Sequence, residues 1–218
     1  MELIVPTPNW EFLKSAVQNG TDAVYIPVQG LVTISYCGVL FSRDEVHSAI
    51  EYAHKYKKKA YVVFNAKLAD NQYSNILQAI KDVIPYQADG LVLGDYRLIT
   101  WVADNNPCRN FEIIASVVCG IKSNLDANFA LSMGADRIIV PWLGLEALEK
   151  LKVSPRLGVD IFIDENQEYS DFVIEELVSR DWIKGVKVAT NCELNNFVNI
   201  IRKFRMQLDK TIPVTVNC

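Results

Sequence analysis

The chain has 218 residues, half of them apolar and 22 % charged, with a formal net charge of -4. This composition suits one globular domain with a sizeable core. It argues against broad binding to a phosphate backbone, which rests on clustered Lys and Arg, and therefore against nucleic acid as a direct ligand.

In chain order, short apolar runs alternate with amphipathic helical patterns. Strands are predicted at 3–6, 23–28, 60–65, 90–94, 111–116, 137–141, 157–163 and 185–189. The runs are short and rich in β-branched residues, as strands covered on both faces should be. Helices are predicted at 10–19, 43–57, 71–86, 96–104, 123–133, 144–151, 168–180 and 193–208, with apolar residues at helical spacing, as in Phe197, Val198, Ile201 and Phe204. Ser42 to Glu45 reads as a capping box, and so does Thr190 to Glu193. The segments Gly20-Thr21-Asp22, Ala88-Asp89-Gly90 and Gly134-Ala135-Asp136 each lead from a helix into a strand.

Regular alternation implies parallel strands joined by right-handed crossovers. Eight units close into a single-domain α/β (β/α)8 TIM-type barrel spanning 1–218, with 211–218 as an extra strand or tail. An open doubly wound sheet is the alternative, but no G-x-G-x-x-G turn follows the first strand. No apolar run approaches the roughly 18 residues of a membrane span. The opening Met1-Glu2-Leu3-Ile4-Val5-Pro6 lacks the order of a signal peptide. The expected compartment is the cytoplasm, with no membrane partner.

In such barrels, chemistry sits at the carboxyl ends of the strands. Candidates there are Gln29, Asn65, Asp95, Ser116, Trp142 and Asn191, with Tyr25 inside the second strand. Asp95 is read as catalytic and the others as substrate-binding. The two histidines, His47 and His54, fall on the second helix, away from that rim. Ser-His-Asp, Cys-His and histidine-based metal schemes are therefore disfavoured.

Within Gly158 to Asp164, alternation turns Asp160, Phe162 and Asp164 inward, and in Gly185 to Ala189 it turns Lys187 inward. Adjacent strands would then bring Asp160 or Asp164 to Lys187. A buried lysine must be paired or lose its proton. Three readings follow for Lys187 with Asp160: an ion pair fixing register, a lysine holding a ligand's anionic group, or a Schiff-base nucleophile. The five cysteines are scattered without a C-x-x-C pair and read as reduced thiols. Cys37, Cys119 and Cys192 all follow strands and are the weak candidates for a metal or cluster. No metal and no cofactor is expected.

Glu2 to Pro6 with Leu13 to Tyr25, then Phe41-Ser42, Ala49 to His54 and Ala60 to Asn65, resemble the U-thirty-two (collagenase-like) peptidase family. The first two stretches are similar to its opening E-L-L-A-P-A-G-N and A-V-x-x-G-A-D-A-V-Y, and the rest to its F-S, A-V-x-Y-A-H and V-Y-V-T-x-N. Ile183 to Val188 and the helix after it look like the K-I-E-G-R strand, with Lys187 keeping the lysine. The resemblance implies an enzyme acting on a small molecule or peptide at the barrel mouth. Relatives that hydroxylate RNA bases or the ubiquinone ring hold an iron–sulfur cluster on a cysteine-bearing insertion after strand seven. Here Asp164 to Glu168 run straight into the next helix without that insertion, and Ala189, Thr190 and Asn191 replace the acidic-glycine-arginine end. No nucleophile–base pair for peptide hydrolysis is visible. The other expectations are a non-catalytic partner subunit or binding module of that family, in a homo- or hetero-oligomer, and a Schiff-base lyase using Lys187.

Overall fold

The computed structural model describes the chain except residues 33–38, 67–69, 152, 165–170, 190–192 and 212–218. Eight parallel strands close into a barrel in sequence order, each followed by a helix. The strands are β1 (Glu2–Pro6), β2 (Ala23–Pro27), β3 (Lys59–Phe64), β4 (Gly90–Leu93), β5 (Glu112–Ala115), β6 (Arg137–Pro141), β7 (Gly158–Asp164) and β8 (Ile183–Ala189). The helices are α1 (Trp10–Gln18), α2 (Val46–Lys55), α3 (Tyr73–Val83), α4 (Tyr96–Asn105), α5 (Asn124–Ser132), α6 (Leu145–Lys150), α7 (Asp171–Val178) and α8 (Leu194–Thr211). This is the (β/α)8 single domain that the alternation implies. The expected tail lies outside the described residues beyond Thr211, as does the expected cap at 190–193 apart from Glu193.

Outward strand residues such as Leu3, Val24, Val62 and Val186 pack with the helices in one cluster. Inward residues Ile4, Tyr25, Tyr61, Val63, Val92, Ile114 and Ile139 form a second cluster inside the barrel. Alternate strands supply each layer of a filled barrel interior. The register puts Asp160 beside Gly185, and Phe162 beside Lys187, one pleat nearer the C-terminal mouth. A register shift between Val159 and Asp160 sets that pairing.

The helix-to-strand segments share one device. The Asp22, Asp89 and Asp136 carboxylates accept the backbone N–H of Leu3, Ala60 and Ile113, each at 2.8 Å. Each aspartate thus stitches the start of its strand to the preceding one. Arg205, His54 and Arg109 sit on the same three carboxylates at 2.9, 2.8 and 2.8 Å. His54 is accordingly placed at the N-terminal end of the barrel, away from the mouth. The box at Ser42 forms, with Ser42 N–H and Oγ donating to Glu45 at 2.9 and 2.8 Å. A further box at Ser123 and Asp126 opens α5.

The interior is closed near its N-terminal end by Arg137, the first residue of β6. Its guanidinium donates to Asp160 from Nη2 at 2.6 Å and Nε at 2.8 Å. It also reaches Glu2 at 2.8 Å, Glu112 at 3.1 Å and the Tyr61 hydroxyl at 3.1 Å. Gly185 leaves room for this group: a Cβ there would lie 2.8 Å from both Arg137 Nη2 and Asp160 Oδ1. The expected pairing of Asp160 with Lys187 is therefore corrected, while the side chain of the alternative partner, Asp164, lies outside what the structure describes. Asp160 reaches toward the N-terminal end to a guanidinium that offers two donors in a fixed fork, the stronger partner for a buried carboxylate.

Candidate active site at the barrel mouth

Lys187 lies one pleat nearer the mouth than this cluster and is 3 % exposed. Its Nζ stands 4.6 Å from the centroid of the Tyr25 ring and 5.1 Å from that of Phe162. Ring faces attract an ammonium through their quadrupole, but replace only part of its hydration. Among the described residues, no carboxylate lies within ion-pair distance of Lys187. Burial pushes its pKa down to about 8, and the charge of Asp160 only partly offsets that. Asp160 itself is raised to about 6 by burial, against the pull of Arg137. Arg137 is shared among three carboxylates, which leaves Asp160 incompletely neutralised. The Tyr25 hydroxyl and Asp160 Oδ2 are among the buried polar atoms that find no hydrogen-bond partner within the described residues.

The structure brings Tyr25 and Lys187 together and keeps Asp160 on the far side of that layer. Asn65, just past β3, and Ser116, just past β5, are buried at 1 % exposure on the mouth side. A Cβ on Gly94 would sit 2.8 Å from Asn65 Cα, so Gly94, just past β4, lets the ends of β3 and β4 approach. Trp142 follows β6 and donates its backbone N–H to Phe162 O at 3.0 Å. Gln29 is exposed in the turn after β2. Asp95 caps α4, accepting from Arg97 N–H at 2.8 Å and from Arg97 Nη2 at 2.8 Å. Those bonds hold its carboxyl below the usual range, which makes it a weak base. Asn191 lies outside the described residues.

Cys119 donates its thiol to Leu93 O at 3.5 Å, and burial pushes its pKa up to about 12. A metal or cluster needs the thiolate, so this cysteine is a poor ligand as placed. Cys37 and Cys192 lie outside the described residues. Cys108 is exposed in the connection from α4 to β5, at the opposite end of the barrel.

Arg137 is the residue that sequence reasoning missed. Its signal was a charged first residue on β6 facing Gly158 and Gly185, two strand positions without side chains.

Residues 8–168 match the family model of Peptidase family U32. The chain belongs to that family. A relative in Helicobacter pylori (strain ATCC 700392 / 26695), called tRNA hydroxylation protein P, is 28 % identical over 168 residues, 75 % of this chain and 39 % of that protein. The 23S rRNA 5-hydroxycytidine C2501 synthase of Escherichia coli (strain K12) is 24 % identical over 164 residues, 75 % of this chain and 24 % of that one. The chain thus spans less than half the length of these U32 relatives. Among solved structures, the U32 peptidase Mk0906 matches with a TM-score of 0.68 at 14 % identity, over 88 % of this chain and 94 % of that one. An orotidine 5'-monophosphate decarboxylase from Methanocaldococcus jannaschii matches at 0.65 and 13 % identity, over 95 % and 98 %. Both likenesses concern the barrel fold. No helix among the described residues is long and apolar enough to cross a membrane.

Proposed function

We propose that this U32 protein takes part in RNA base modification, its barrel mouth holding a small organic reactant against Lys187. The observation that carries the site is Lys187 itself: a buried amine, flanked by two ring faces, with Asp160, the described carboxylate whose charge reaches it, engaged by Arg137. Such an amine favours a ligand that brings its own negative or electron-rich oxygen. The RNA setting is supported by the relatives named for tRNA and rRNA hydroxylation. It departs from the expectation, drawn from net charge, that nucleic acid is no direct ligand. A small reactant is preferred over a peptide because the reactive amine lies inside the barrel, one side-chain layer from the arginine cluster.

The test is deletion of the gene in its host, followed by mass spectrometry of tRNA and rRNA nucleosides. One hydroxylated nucleoside should disappear, return with the wild-type gene and stay absent with Lys187→Met. An unchanged nucleoside profile would refute the RNA reading. Full rescue by Lys187→Met would make the chain a binding partner rather than the catalyst.

A further inference from the structure

We infer that Lys187 is a carbonyl-capturing residue, forming an iminium with a small aldehyde or ketone at the barrel mouth. The inference deepens the proposed small-reactant site by naming the chemical class of its ligand.

Three observations carry it. The amine is inside the barrel on β8, on the mouth side of the Arg137 cluster, the end at which barrel enzymes take their ligands. Among the described residues no carboxylate lies within ion-pair distance to hold it as an ammonium, and burial favours the neutral, nucleophilic form. The faces of Tyr25 and Phe162 that border Nζ also suit the cation the reaction makes. An iminium is a larger, less hydrated cation than an ammonium, so it loses less when water is replaced by ring faces.

The neutral amine's lone pair attacks the carbonyl carbon, and the carbon–oxygen π pair moves to oxygen. The two amine protons leave with that oxygen as water, and the nitrogen lone pair forms the C=N bond. One proton taken from solvent at the mouth leaves the product as an iminium. No oxidant or reductant is consumed. Asp160 acts as a positioning charge, not as a catalytic residue: it does not touch Nζ, but its field raises the amine's affinity for a proton.

The experiment uses the full chain with glycolaldehyde, dihydroxyacetone and pyruvate as separate probes, each trapped with borohydride and mapped by peptide mass spectrometry. At least one probe should label Lys187 at least tenfold faster than exposed lysines such as Lys14 and Lys122. The initial rate should rise through about pH 8, and Asp160→Asn should move that rise to lower pH. Lys187→Arg, which keeps a cation between the rings, should lose the adduct and remain folded. No adduct on Lys187, or labelling no faster than at exposed lysines, would overturn the inference. A pH profile unmoved by Asp160→Asn would overturn the role given to that charge. An adduct without any change in RNA nucleosides would sustain the carbonyl site and remove the RNA reading. A lost nucleoside without an adduct would do the reverse.

Discussion

Replacing Arg137 by Met tests how the barrel interior is held together. The substitution removes the guanidinium's five hydrogen bonds to Asp160, Glu2, Glu112 and Tyr61. Glu2 keeps Lys59 at 2.6 Å, and Glu112 is partly exposed to solvent, so neither is left without compensation. Asp160 is fully buried and loses the one cation within ion-pair distance among the described residues. Breaking a buried pair by removing one partner costs about 3–5 kcal/mol. Protonation limits the loss: the wild-type pKa is already raised to about 6, so holding Asp160 fully neutral at pH 7 adds only ~1.4 kcal/mol, at roughly 1.4 kcal/mol per unit. With about 1 kcal/mol more for the other hydrogen bonds lost, the expected destabilisation is about 2–3 kcal/mol at pH 7, a sizeable part of the roughly 5–15 kcal/mol of a typical domain. At pH 5 protonation is easier, and the deficit should shrink by about 1 kcal/mol. Urea unfolding followed by tryptophan fluorescence gives both values. Adding Asp160→Asn to Arg137→Met should recover most of the loss. A deficit under about 1 kcal/mol at pH 7, or no recovery in the double variant, would refute the view that Arg137 neutralises a buried Asp160.

The pH behaviour of the two buried groups gives further tests. Asp160 has a folded pKa raised to about 6, so its contribution is full below about pH 4 and is lost as pH rises through 6. Relative to wild type, Asp160→Asn should flatten stability between pH 4 and 6, read as the urea midpoint across that range. Lys187 has a folded pKa lowered to about 8, so its burial opposes folding below pH 8 and ceases to do so above the unfolded value near 10.4. Lys187→Met should therefore stabilise the protein at pH 7 by up to about 3 kcal/mol, with the gain fading between pH 8 and 10; a loss of stability at pH 7 would contradict it. Gly185→Ala would put a methyl 2.7 Å from Ile4 Cδ1 and 2.8 Å from Arg137 and Asp160. It should lower stability by about 1–3 kcal/mol in thermal unfolding, as overpacking does.

Much of the barrel is legible in the sequence because every strand is covered on both faces. Its apolar runs then end within about a residue of the observed strand limits, as at 137–141 for β6. Alternation also places Asp160, Phe162 and Lys187 on the inward side. Alternation gives the side of a strand and not the height of a residue along the barrel axis. The shift at Val159/Asp160 sets Asp160 level with Gly185, where Arg137 waits, rather than with Lys187. Arg137 stayed hidden because a charge at the first position of a strand looks like a solvated rim residue. Its inward direction becomes readable only when Gly158 and Gly185 are seen as the space it fills. Asp95 shows a different ambiguity: it ends a strand and also precedes an apolar helix, and its carboxylate caps α4.

The reactive character of Lys187 follows from a division of labour between the two ends of the barrel. Near the N-terminal end, one guanidinium and Lys59 meet three carboxylates, so acid exceeds base and Asp160 carries the excess as a raised pKa. One pleat nearer the mouth, the rings of Tyr25 and Phe162 border the lysine, in an inner cluster that also holds Val92 and Ile139. Had Arg137 been apolar, Asp160 would have had Lys187 as its natural partner, and the amine would have been a fixed ammonium in an internal ion pair. Arg137 draws that carboxylate away from the mouth. The same bond that closes the base of the barrel thus leaves the lysine chemically available above it, and the two residues should be coupled: replacing Arg137 should raise the pKa of Lys187 only if Asp160 stays ionised.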